Sequence, residues 1–152
     1  MKKTSLDRWM NRLSLLALAG TAGFLLLFWR RIPGRIPMHY NFAGEIDRWG
    51  GKWELLALYG LGWLVFLLLT AAGRSPGAWS TGVKITPENR ERVCALLGNL
   101  LSTLKALLCG LVAWITVWSA LAWPLPVWFL PAALAAVSGD LIYWFVRVFR
   151  AQ

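Results

Sequence analysis

Four long apolar stretches separated by polar segments make up most of the chain. They cover residues 13–29, 53–72, 93–123 and 127–146. The hydrocarbon core of a bilayer is about 30 Å thick, and roughly 20 apolar residues in a helix cross it. Because backbone groups in that core must bond within the chain, each stretch predicts a transmembrane helix. The pattern therefore predicts an all-α integral membrane protein, a single domain over residues 1–152 built as a four-helix bundle.

The composition agrees with this pattern. Hydrophobic residues make up 58% of the 152 residues and charged residues 15%, whereas soluble domains have about 45–50% and about 25%. These values argue against a soluble globule and against disorder. The net charge of +9 is explained more simply by basic residues flanking membrane helices than by nucleic acid. We therefore expect the lipid bilayer as a partner, and no nucleic acid.

The first stretch has a second interpretation. Its basic flank and the Ala17-Leu18-Ala19 sequence resemble a secretory signal with a cleavage site. The apolar run continues past that site to Trp29, which favours a retained transmembrane helix.

The distribution of Lys and Arg predicts the orientation. If the N-terminus is cytoplasmic, the inner segments carry Lys2, Lys3, Arg8, Arg12, Arg74, Lys84, Arg90, Arg92, Arg147 and Arg150, and the outer loop carries Arg30, Arg31, Arg35, Arg48 and Lys52. Since cytoplasmic segments are richer in Lys and Arg, both termini are expected in the cytoplasm.

Two charged residues interrupt the apolar stretches. Lys105 lies near the expected cytoplasmic boundary of the third stretch and can extend its amine to water. Asp140 lies about 9 Å inside the fourth, where a carboxylate is costly unless it is protonated, paired or hydrated. An ion pair with Lys105 is feasible, and Arg147 on the same helix is the alternative partner. For Asp140, a structural contact between helices is favoured over a role in proton or ion transfer. The transfer role would make the chain a small transporter or channel component.

The segment 30–52 between the first two stretches is the most informative part of the sequence. Pro33 and Pro37 prevent a continuing helix. After them Met38, Tyr40 and Phe42 alternate with polar residues, which predicts an extended segment that is apolar on one face. The result would be an ordered extracytoplasmic loop.

His39, Asn41, Glu45 and Asp47 gather polar groups in this loop. They suggest three roles: metal binding, proton transfer through His39, or binding of a peptide or lipid headgroup. The alternative, which composition favours, is a self-satisfied loop, whose polar groups all bond within the loop. In it His39 and Asp47 hydrogen-bond to backbone groups, Asn41 caps a turn and Gly44 supplies an unusual backbone angle. HExxH, paired CxxC, Gly-rich phosphate and Ser–His–Asp patterns are absent. No enzyme, catalytic residue, metal or cofactor is therefore expected.

Residues 36–52 also resemble a known signature, approximately I-P-x-H-x-N-x-x-G-x-x-D-x-x-x-x-K. The matching positions are Pro37, His39, Asn41, Gly44, Asp47 and Lys52. The signature is similar to that of a bacterial membrane-protein domain of unknown function found in SdpI-like immunity proteins, which protect a cell against a secreted peptide toxin. The resemblance implies an integral bacterial inner-membrane protein. We expect the six matching residues to form a ligand-binding site.

Three hypotheses follow. The first is a non-enzymatic binding or immunity module whose outer loop engages a secreted peptide, a lipid-linked ligand or another membrane protein. The second is the small transporter or channel component that uses Lys105 and Asp140, which as an oligomer would enclose a pore. The third, a metal-dependent membrane enzyme, has the weakest set of candidate ligands.

Overall fold

The computed structural model describes residues 3–74, 82 and 85–151. These described residues form four helices: α1 Ser5–Phe28, α2 Glu54–Ala72, α3 Arg90–Ala120 and α4 Phe129–Phe149. Each is long and apolar enough to cross a membrane, which confirms the predicted architecture of a multi-pass helical membrane protein. Between α1 and α2 the chain forms two strands, β1 Arg35–Tyr40 and β2 Ile46–Gly51. The predicted outer loop is thus a β-hairpin.

Some helices extend beyond the predicted apolar stretches into polar sequence. α1 begins at Ser5 rather than at residue 13, because the Thr4 hydroxyl caps it by accepting from the Asp7 backbone N–H at 3.0 Å. Hydropathy marks the part of a helix that suits lipid, whereas hydrogen bonding carries the helix on through polar residues. The same reason applies to α4, which continues to Phe149.

α3 ends at Ala120, before the Trp123 that the apolar pattern indicated. Ala122 has φ 56°, a left-handed angle that stops a helix. The chain then passes through a short connection and enters α4 at Phe129. This early end creates a connection next to the hairpin, and the connection becomes part of the hairpin's support.

α3 is the central helix of the bundle, since it packs against α1, α2 and α4. It approaches α2 closely at Gly62, where an added Cβ would lie 2.9 Å from the Leu18 side chain and 3.3 Å from that of Val112. Small residues permit such close approach between membrane helices. α4 packs mainly on α3 and leaves much of its surface exposed.

The two ends of the bundle carry different features. At one end a cluster of buried apolar side chains supports the hairpin; its members are Leu25, Ile32, Ile36, Leu55 and Ala120. At the opposite end, the start of α1, the end of α2 and the first half of α3 surround a cavity that contains polar groups.

Candidate functional site: the hairpin between α1 and α2

The two strands pair antiparallel, with Arg35 opposite Gly51 and Tyr40 opposite Ile46. The register shifts on both sides of His39, as at a β-bulge, which turns a side chain away from the regular alternation. Pro37, which is fully buried, lies next to this irregularity, where the lack of a backbone N–H is tolerated. Pro37 therefore packs into the buried side of the hairpin.

Asn41 organises the turn at the tip of the hairpin. Its Oδ1 accepts hydrogen bonds from the backbone N–H groups of Ala43 and Glu45, both at 3.0 Å. Its Nδ2 donates to Glu45 Oε2 at 2.8 Å. This arrangement confirms the prediction that Asn41 caps a turn. The oxygen and one amide hydrogen of the Asn41 side chain are thus hydrogen-bonded within the loop.

Gly44 attaches the tip to the connection between α3 and α4. Its φ is +82°, which confirms the predicted unusual angle. Its carbonyl accepts from the Leu125 backbone N–H at 2.9 Å, and an added Cβ would lie 2.3 Å from the Leu125 carbonyl oxygen. Only glycine fits this close backbone contact.

Lys52 closes the base of the hairpin. Its Nζ lies 5.3 Å from the centre of the Trp29 ring at the end of α1, within the range of a cation–π interaction. Its backbone N–H donates to the Gly34 carbonyl at 3.2 Å. Nearby, Glu54 accepts from the Gly51 N–H at 2.8 Å and pairs with Arg48 at 3.4 Å. Lys52 therefore has a structural role.

Tyr40 and Met38 face the bundle as the alternation predicted, whereas Phe42 does not. The Tyr40 hydroxyl donates to the Trp123 carbonyl at 3.2 Å and lies 3.2 Å from Ser119 Oγ. Burial of the ring raises the pKa of Tyr40, and the Ser119 hydrogen bond opposes the rise in part. Phe42 lies beyond the strand and is 87% exposed, because the turn at Asn41 ends the alternation.

His39 and Asp47 form a pair on the outside of the hairpin. His39 Nδ1 lies 2.6 Å from Asp47 Oδ1, and the two side chains are 65% and 43% exposed. An ionised carboxylate only accepts, so Nδ1 carries the hydrogen in this contact. Nε2 makes no hydrogen bond to the part of the chain that the structure describes. The self-satisfied alternative placed these residues against backbone groups; instead they bond to each other and stay accessible.

The signature residues thus divide into two groups. Pro37, Asn41, Gly44 and Lys52 hold the hairpin in shape and on the bundle. His39 and Asp47 are presented by it. Within residues 3–74, 82 and 85–151, no three His, Cys, Asp or Glu side chains gather as a metal-ligand set.

The ion pair between Lys105 and Asp140 that the sequence made feasible is not formed, since both residues have other partners. Lys105 is 3% exposed and donates to Asn11 Oδ1 and, at 3.0 Å, to Thr70 Oγ1. The expectation that it extends to water is therefore also wrong. These contacts form because Lys105 faces α1 and α2. The position of Lys105 along the third stretch predicts its depth in the membrane but not which side of α3 it lies on.

Asp140 has a partner in its own helix. Its Oδ1 accepts from Trp144 Nε1 at 3.1 Å, while Oδ2 is buried with no hydrogen-bond partner in the described structure. The alternative pair with Arg147 is also wrong, since Arg147 donates to the Tyr143 hydroxyl at 2.8 Å. No shared path through Lys105 and Asp140 follows from these contacts.

Several contributing residues were missed in the sequence. Leu125 and Ser119 are far from the hairpin in the chain, and only the fold brings them to it. Asn11 and Thr70 did leave a signal, because each is a polar residue beside or within an apolar stretch. Such residues in a membrane bundle are candidates for partners of a buried charge.

One comparison with known proteins found a match, and it includes the hairpin. A family model described as "Domain of unknown function (DUF1648)" matches residues 16–62. No curated protein matches the chain, and no solved structure does. The matched segment runs from within α1 through the hairpin into α2. Over these residues the chain is similar to a domain family whose function is not known.

Proposed function

We propose that this protein is a non-enzymatic recognition module of a bacterial inner membrane, similar to SdpI-like immunity proteins. Its hairpin would engage a secreted peptide or lipid-linked ligand outside the cell. The observation that carries the proposal is the division of the signature, in which four residues hold the hairpin and His39 and Asp47 are left exposed. If the signature served only to form a stable turn, it would not require the exposed pair of His39 and Asp47.

The chemistry of the pair suits recognition. The Asp47 carboxylate accepts from peptide N–H groups or amines, and the His39 imidazole offers its second nitrogen. Phe42 and Trp49 on the same hairpin are exposed and add apolar surface. Because the hairpin is fixed on the bundle, a ligand would bind without paying to order the loop.

The proposed orientation places the hairpin outside and both termini in the cytoplasm. It rests on the excess of Lys and Arg in the segments at the opposite end. A cysteine-accessibility experiment tests it: a cysteine replacing exposed Arg30 should react with an impermeant maleimide on intact cells. Reaction only after permeabilisation would contradict the orientation.

The functional test uses His39→Ala and Asp47→Asn, with Arg30→Gln as a control that removes an exposed charge next to the hairpin. Cells that express each variant are challenged with the fractionated secreted peptides of the source bacterium. We expect the wild type and the control to protect, and the two hairpin variants to lose protection. Equal protection by all four would contradict recognition by the pair.

Flux measurements separate recognition from transport. The full chain is reconstituted in liposomes, and proton and potassium flux are compared between the wild type and His39→Ala. Loss of protection with no flux in either protein favours binding. Flux that His39→Ala alters would favour the small transporter instead.

A further inference from the structure

A cavity of about 300 Å³ lies at the end of the bundle opposite the hairpin. The beginning of α1, the end of α2 and the first half of α3 form its walls. Its volume is within the range of small-molecule sites. The proposed recognition by the hairpin does not involve it.

Lys105 is a buried charged residue in the wall of this cavity. Its ammonium is held by the neutral oxygens of Asn11 and Thr70, and it lies 4.9 Å from the centre of the Phe66 ring. The Asp7 carboxylate reaches it only indirectly, because Asp7 Oδ1 accepts from Asn11 Nδ2 at 2.8 Å. A buried ammonium that has only neutral direct partners is costly in a membrane protein. The site would gain from a direct anionic partner.

The charges that line the cavity are unbalanced. Among the lining residues that the structure describes, Lys3, Arg74 and Lys105 contribute three positive charges, and Asp7 contributes one negative charge. Lys3 and Arg74 form no ion pair with any residue that the structure describes. Because a concave wall of low dielectric concentrates the field of such charges, the cavity attracts anions more strongly than a flat basic surface does.

We propose that this cavity binds a phosphate-bearing anion, with the phosphate on Lys105 and with Lys3 and Arg74 contacting it from the rim. The two unbalanced positive charges match the charge of a phosphate monoester, and one suffices for a diester. Arg74 offers a planar fork of donors that suits phosphate oxygens, and the two lysines act as point charges. The remaining volume accommodates a small group attached to the phosphate.

Two sources share this chemistry. One is the headgroup of an anionic phospholipid, since the cavity lies between the beginning of α1, the end of α2 and the first half of α3, beside the basic side chains of Lys3 and Arg74. The other is a soluble phosphate ester. The experiment below contains an arm for each source.

The test uses the purified full chain in a neutral maltoside detergent. Inorganic phosphate, glycerol 3-phosphate and short-chain phosphatidylglycerol are titrated by calorimetry, with short-chain phosphatidylcholine as the zwitterionic comparison. We expect at least one of the three anionic probes to bind. Lys105→Met and Arg74→Gln should each weaken that binding about tenfold or more, the loss of one charge-assisted contact.

Arg12→Gln is the matched control. It removes one positive charge from the same end of the bundle, but Arg12 is exposed over the Trp9 ring and does not line the cavity. Binding should be unchanged in this variant. If Lys105→Met does not fold, Arg74→Gln and Lys3→Gln decide the result, because both residues lie at the rim and outside the packed core.

The outcomes are distinct. Tight binding of phosphatidylglycerol alone supports the lipid source, whereas binding of glycerol 3-phosphate or phosphate supports a soluble source. No binding of any anionic probe, or equal binding by the wild type and the cavity variants, overturns the proposal. His39→Ala should bind the probes like the wild type, so failure here is distinguishable from failure of the recognition proposed for the hairpin.

Discussion

Replacing Gly44 by alanine should release the tip of the hairpin from the connection between α3 and α4. The added Cβ would lie 2.3 Å from the Leu125 carbonyl oxygen, and 3.1 Å from its carbonyl carbon. These atoms belong to the backbone, so a side-chain rotation does not relieve the overlap. The tip must move away and break the hydrogen bond from the Leu125 N–H to the Gly44 carbonyl.

The magnitude follows from two terms. Holding a residue other than glycine at φ +82° costs about 1–2 kcal/mol, and losing one backbone hydrogen bond costs about 1 kcal/mol. The docked tip should therefore lose about 2–3 kcal/mol relative to an undocked hairpin. Since about 1.4 kcal/mol is a factor of ten, 2 kcal/mol raises the undocked population about thirtyfold.

Hydrogen–deuterium exchange of the purified protein measures that population. Amides of residues 41–46 should exchange about thirtyfold faster in Gly44→Ala, while the amides of α3 keep their protection. Gly51→Ala is the matched control, because it makes the same chemical change in the same hairpin, where an added Cβ meets nothing within 4 Å. Equal exchange in the two variants would refute the argument that the Gly44–Leu125 contact holds the tip.

Three further perturbations test the structure. Asp140→Asn should raise the SDS concentration at the unfolding midpoint by the equivalent of about 1 kcal/mol, because it removes a charge from a buried oxygen that has no hydrogen-bond partner. A lower midpoint would show that the carboxylate charge stabilises the bundle. The pKa of Tyr40 in the folded protein is raised above 10.0, so with rising pH Tyr40 ionises in the unfolded chain before it does so in the folded one. The free energy of unfolding should therefore fall as the pH rises past about 10. Tyr40→Phe should remove this pH dependence at a cost of about 1 kcal/mol at lower pH, and the same pH profile in both proteins would contradict the prediction. Lys52→Met should lower the stability of the hairpin by about 0.5–1 kcal/mol, because the contact with Trp29 is lost. The β2 amides should then exchange faster with deuterium. Unchanged exchange would show that the contact does not stabilise the hairpin.

The four helices were predictable because the thickness of the bilayer requires a similar apolar length of every segment that crosses it. Apolar length alone selected the stretches that became α1 to α4. The helix ends were less predictable, since a capping group such as Thr4 extends a helix into polar sequence. The Ala122 angle that ends α3 early leaves no mark in hydropathy.

The candidate site was predictable where the interactions are local. The Asn41 turn and the Gly44 angle depend on residues within a few positions, and both were predicted. The pairing of β1 with β2 was not, because the alternation after Pro37 covered only one strand and the bulge at His39 shifts the register. The contact between His39 and Asp47 depends on that register.

The hairpin and the cavity share α3 as a wall but are far enough apart to be tested separately. Ser119 contacts the hairpin and Lys105 lies in the cavity, and their separation along the helix corresponds to about 21 Å. Mutations at sites separated by more than about 10 Å without shared partners have additive effects within about 0.5 kcal/mol. Hairpin and cavity variants should therefore combine additively in unfolding midpoints. A larger interaction energy would mean that α3 moves as a unit between two arrangements and that binding at one end changes the other.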